Sequence, residues 1–269
     1  MSADATFQTV MARGWRLGFD NLLRKEQRRW WKTRRWLIQS GIWLALLNGF
    51  LALLLFVFPG MTRPDGELAI SGNPVQIGLE YIFTIAPTGL GIGIIILLQD
   101  AILRERHFGT AAWVLSKPAS RSAFILAKLV ANTIGMVLIL IALQGVVAYA
   151  QLALVDSSVF TLTNFAGSLG ILALHTFFYL TLTLMLGVLA DSQGQVLGIG
   201  LGTLLGGMLL VKVARPLTYV TPWALSDLSV RLAQGSALPA WAPYPIAATA
   251  VWSIVFVAVA LLGFNRAEL

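Results

Sequence analysis

Six long apolar runs constrain this chain more than any other feature: about residues 36–58, 75–103, 124–154, 164–190, 196–213 and 246–264. A helix rises about 1.5 Å per residue, so runs of this length match the roughly 30 Å of hydrocarbon in a bilayer. No water is available there to bond peptide groups, and a helix satisfies its own backbone. The expected fold is all-α, a polytopic membrane protein of six transmembrane helices in a single domain. Only 12% of the residues are charged, against about 25% in soluble domains.

Ahead of the first run lies a dense mixture of aromatic and basic residues. Phe19, Leu22, Leu23 and Trp30 can share one face of a helix. Arg28, Arg29, Trp31, Arg34 and Arg35 belong to the same stretch, with Trp36 opening the span. Tryptophan beside cationic side chains suits a helix in the headgroup layer. An N-terminal amphipathic elbow helix is therefore expected, with Arg28, Arg29, Trp30, Trp31, Arg34 and Arg35 as its membrane-interface residues. Interleaved aromatic and basic residues also occur in nucleic-acid-binding segments. Here they run directly into a span, so lipid is the expected partner and nucleic acid is not. The first apolar run is too long for the core of a cleavable signal peptide, and none is expected.

A polar island, Arg104–Lys128, separates the second and third runs and carries Arg104, Arg106, Lys117, Arg121 and Lys128. Phe108, Ala111, Ala112 and Leu115 fall at helical spacing, predicting a short amphipathic helix. Pro118 disfavours helical geometry at Lys117 and ends it. Ser120 is placed to cap the next helix. A helix across the mouth of two spans is a handle through which a protein outside the membrane can move both.

The order Glu105, Gly109-Thr110, Leu115-Ser116, Pro118, Ser120-Arg121, Lys128 resembles the first cytoplasmic loop of type-2 ABC transporter permeases. In that family this loop contacts the ATPase subunit. The resemblance implies that Glu105, Phe108, Gly109, Thr110, Leu115, Ser116, Pro118, Ser120 and Arg121 couple the chain to such a subunit. It also implies that ATP and Mg are bound by that partner, and that a second permease copy, identical or not, completes the pathway. The basic elbow, the Thr221-Pro222-Trp223 step and the short Arg266/Glu268-Leu269 tail are similar to the same family. Ala119 departs from it, standing where many members carry valine.

Residues 214–245 hold Pro216, Pro222, Pro239, Pro243 and Pro245 with Tyr219, Trp223 and Trp241. Short helical pieces forming an interfacial cap between spans five and six are expected there. Orientation follows from the 19 lysines and arginines. Nine precede Trp36, the island adds five and Arg266 one, leaving Arg63, Lys212, Arg215 and Arg231 on the opposite side. The positive-inside bias then places both termini and the island in the cytoplasm of a cell membrane, plasma or inner.

The chain shows no Gly-x-x-x-x-Gly-Lys-Ser/Thr and no His-Glu-x-x-His, and it has two histidines and no cysteine. No ATP site, metal site or cofactor site of its own is expected. Polar residues within the runs are costly in lipid and often functional. Asn48, Gln144 and His175, with a kink at Pro87, are candidates for a pathway or hinge. For each, a helix–helix hydrogen bond is the plainer reading. Gly198, Gly202 and Gly206 recur at every fourth position, a pattern for close packing within the chain or between subunits. Three function classes remain. They are a permease subunit driven by a separate ATPase, an ion-coupled secondary transporter using Glu80, Asp100 and His175, and an intramembrane enzyme. The first, working as an exporter, absorbs the most features.

Overall fold

The computed structural model describes residues 14–61, 72–107 and 119–266. Phe108, Gly109, Thr110, Leu115, Ser116 and Pro118, and the amphipathic helix expected around them, lie outside the described residues. A short helix α1 (Phe19–Trp31) precedes five long helices. These are α2 (Arg35–Gly60), α3 (Pro74–Arg106), α4 (Arg121–Asp156), α5 (Leu162–Leu189) and α6 (Gln193–Val213). A short cap helix, α7 (Leu225–Ala233), leads into α8 (Pro243–Arg266). The six long helices are each apolar enough to cross a membrane, so the chain is a multi-pass, membrane-embedded all-α protein.

Local sequence sets where these helices begin. Asn73, Ser120, Thr161 and Ser192 each precede a helix and accept a hydrogen bond from a backbone N–H in its first turn. That satisfies donors the helix itself cannot use. Inside α3, Pro87 has no N–H to return to the preceding turn, and Tyr81–Ile85 is widened into π-helical geometry. A proline within a helix is accommodated by such a turn, although Leu44–Asn48, Met136–Ala142 and Gly202–Gly206 adopt the same geometry without one.

Helix α5 is the most buried span, and α2, α6 and α8 are the least. Its buried Thr176, Thr181 and Thr183 donate their hydroxyls to carbonyls one turn back, so burial leaves none of these hydroxyls unpaired. Close approaches are bought with glycine. A Cβ at Gly93 of α3 would stand 2.0 Å from the Trp43 ring of α2. By contrast, nothing lies within 4 Å of where a Cβ would sit at Gly198, Gly202 or Gly206 of α6. That face is therefore not used for packing among the described residues.

The connectivity gives the bundle two ends. One carries α1, the end of α3 and the start of α4, and is called here the elbow face. The other carries α7 and is called the cap face.

Candidate functional site

At the elbow face the site is built on one buried cation. Lys128, 1% exposed, bonds Glu26 of α1 at 3.0 Å and Glu105 of α3 at 2.9 Å. Lys25 approaches Glu105 from the solvent side at 3.7 Å. The Lys128 ammonium also lies 5.0 Å from the Phe124 ring centre, and Phe124 stacks on Phe264 of α8. A lone ammonium at this depth would be strongly disfavoured. Two carboxylates from different helices make it tenable and bind α1, α3 and α4 into one node.

The same face of α1 explains the register. Leu22, Glu26 and Trp30 are its buried residues, spaced one turn apart. Trp30 donates to Asn132 Oδ1 at 3.0 Å. A Cβ at Gly135 would meet the Trp30 ring at 2.8 Å, so glycine makes the groove that receives the indole. Trp30 is thus a packing residue at 4% exposure, which corrects its assignment to the lipid interface. Arg35 departs from that role too. Its guanidinium covers the Trp30 ring at 4.5 Å and donates to the Leu97 carbonyl. Arg28, Arg29, Trp31 and Arg34 are exposed, where headgroups can reach them.

Both flanks of the segment 108–118 are anchored. On one side Arg106 donates to the carbonyls of Val188 and Ala190 at 2.6 and 3.2 Å, at the end of α5. On the other, Arg121 donates to Phe264 and Asn265 at 3.3 and 2.7 Å, at the end of α8. Each guanidinium serves carbonyls left over at a helix C-terminus, where the helix dipole also favours a cation. Ser120 caps α4 by accepting from Ala123 N–H at 2.9 Å.

The other polar candidates separate. Asn48 and Gln144 find each other, Asn48 Nδ2 donating to Gln144 Oε1 at 2.7 Å between α2 and α4. That is a helix–helix hydrogen bond. Asp100 lies toward the elbow face, 3.9 Å from Arg104. Glu80 and His175 lie toward the cap face, where they line two adjoining hollows. Glu80, Asp100 and His175 therefore do not converge on one ion site. Among the described residues, no group of three or more acidic, histidine or cysteine side chains could hold a metal ion.

Sequence reasoning did not assign the roles of two participants. Glu26 stands one turn from both Leu22 and Trp30, an acid on the buried face of a basic helix, and this spacing was the available signal. Asp227 of α7 lines both cap-face hollows, and no local pattern marked it.

Together the bundle and its two polar ends define a six-span integral membrane protein. Residues 65–269 match the family described as protein of unknown function (DUF2705), and the chain belongs to it. The chain is also similar to the uncharacterized transmembrane protein YxlG of Bacillus subtilis (strain 168). The two are 26% identical over 196 residues, covering 67% of this chain and 71% of that protein.

Proposed function

We propose that this protein is the permease subunit of an ABC exporter, driven by a separate cytoplasmic ATPase that binds ATP and Mg. The observation that carries the reading is the anchoring of the Glu105–Arg121 segment. Glu105 is tied to Lys128 of α4, Arg106 to the end of α5, and Arg121 to the end of α8. Force applied to that segment enters four helices at once, and through Glu26 it also enters α1. A handle wired in this way suits work delivered from outside the bundle.

In this reading the elbow face is cytoplasmic in the plasma or inner membrane, and residues 108–118 meet the ATPase. The uncovered glycine face of α6 is where a second permease copy packs, identical or not. The widened turn before Pro87 is the hinge, an accommodation open to a proline in a spanning helix. An ion-coupled mechanism through Glu80, Asp100 and His175 is less well supported, because Asp100 stands at the opposite end from the other two.

The test is purification from native membranes under mild detergent. An ATPase subunit should accompany the chain, and Glu105→Ala or Gly109→Val should leave ATP hydrolysis intact while abolishing transport. Full transport driven by a proton gradient, with no ATPase present, would overturn the proposal.

A further inference from the structure

The cap face holds two adjoining hollows of about 560 and 240 Å³ that share Thr84 and Asp227. The larger is walled by α2, α3 and α7, with Phe50, Leu54, Ile77, Tyr81 and Ile85 as its apolar lining. Among the described residues its only charged lining residues are Glu80 and Asp227, both acidic. Phe50 and Ile85 are exposed on the outside of the bundle, so the hollow opens toward lipid. The Phe50 and Tyr81 rings lie 5.0 Å apart and tilted, offering π faces to a cation.

The smaller hollow, also mostly apolar, carries Thr88, His175, Lys212, Trp223 and Ser226 in its lining. His175 is 4% exposed, and its Nδ1 has no hydrogen-bond partner among the described residues. Tyr179, edge-on against His175, turns its buried hydroxyl to the Trp223 side chain. Unpaired buried polar atoms are rare and each costs stability. His175 Nδ1, in the wall of this hollow, marks a place where a polar group is received.

We infer that this cleft binds an apolar cation. Its hydrophobic body lies against Phe50, Tyr81 and Ile85, its positive centre between Glu80 and Asp227, and a hydrogen-bonding group reaches His175. In the larger hollow charge complementarity selects this occupant over a lipid chain, Lys212 standing in the smaller hollow. An acyl tail would fill the apolar wall but leave both carboxylates without a partner from the ligand. Asp227 already pairs with Arg231 at 2.9 Å on the exposed side of α7, and Glu80 receives a long 3.4 Å bond from Gln234. Glu80 is therefore the less committed acid and the principal determinant. The inference does not rest on the proposed ATPase partnership, since binding needs no energy source.

The experiment uses the full chain in phosphatidylcholine nanodiscs, with empty nanodiscs as the blank. Tetraphenylphosphonium and tetraphenylborate have the same shape and opposite charge, and equilibrium dialysis measures each. Saturable binding of the cation, absent for the anion, is expected. Glu80→Gln should weaken it about tenfold and Asp227→Asn less, and Thr84→Trp should abolish it by filling the junction. Propranolol, an apolar amine with a neighbouring hydroxyl, should displace the cation. His175→Ala should blunt that displacement about tenfold. Equal binding of both ions would mean a non-selective lipid groove and would overturn the inference. So would no saturable binding, or full binding by Glu80→Gln protein that elutes and melts like the parent.

Discussion

The two polar ends of this bundle handle buried polarity in opposite ways. At the elbow face Lys128, Glu26, Glu105, Trp30 and Asn132 pair with one another across α1, α3 and α4, and among the described residues Glu105 Oε2 is the one buried atom of these groups left without a partner. At the cap face His175 keeps a buried ring nitrogen with no hydrogen-bond partner among the described residues, beside open space. A connected network of this kind fixes the relative position of the helices that contribute to it. An unsatisfied group beside a void waits for something else. One end is thus built to be rigid and the other to receive.

The sharpest way to break this contrast is Lys128→Met. It would leave Glu26 and Glu105 buried without their cation and should cost about 3–5 kcal/mol, read as a large fall in melting temperature or loss of folded protein. Adding Glu26→Gln and Glu105→Gln to that variant should recover most of the loss, because neutral groups carry no such penalty. A triple variant as unstable as the single one would show that packing, not charge, governs the node.

Next in size is Gly207→Ala on the cap side. Its new Cβ would stand 1.7 Å from the Trp223 ring, so the indole must move. A cost of about 1–3 kcal/mol is expected, with a shift in tryptophan emission. An unchanged spectrum would mean that the cap is not held as described. Replacing Asn48 and Gln144 by leucine, singly and together, should give a coupling of about 0.6–1.7 kcal/mol, measured by a double-mutant cycle of unfolding in mixed micelles. The smallest effect belongs to Glu80→Gln, expected to change stability by no more than about 0.5 kcal/mol. Glu80 is exposed and bonded only weakly, so a large loss there would erase the distinction between the two ends.

The spans were legible because hydropathy is a local property and lipid tolerates little else. The capping role of Ser120 was legible for the same reason, being written in adjacent residues. The elbow face was only half legible. Its basic and aromatic residues announced a surface helix, yet the buried stripe Leu22–Glu26–Trp30 takes its meaning from Lys128 and Asn132, about a hundred positions away. Trp30 was placed in lipid because a tryptophan among arginines suits a headgroup layer equally well. The cap-face cleft was the least legible. Glu80 and His175 stood out singly, but a cavity is defined by what is missing between α2, α3, α6 and α7, and a sequence has no sign for that.

Arg106 and Arg121 give the intervening stretch a property of practical use. Each flank is fastened to a different helix end, so the two ends of the stretch are held independently of one another. A compact epitope or fluorescent reporter grafted between Phe108 and Pro118 should leave the membrane helices standing. That makes the position a natural socket for a sensor of whatever touches this end of the molecule.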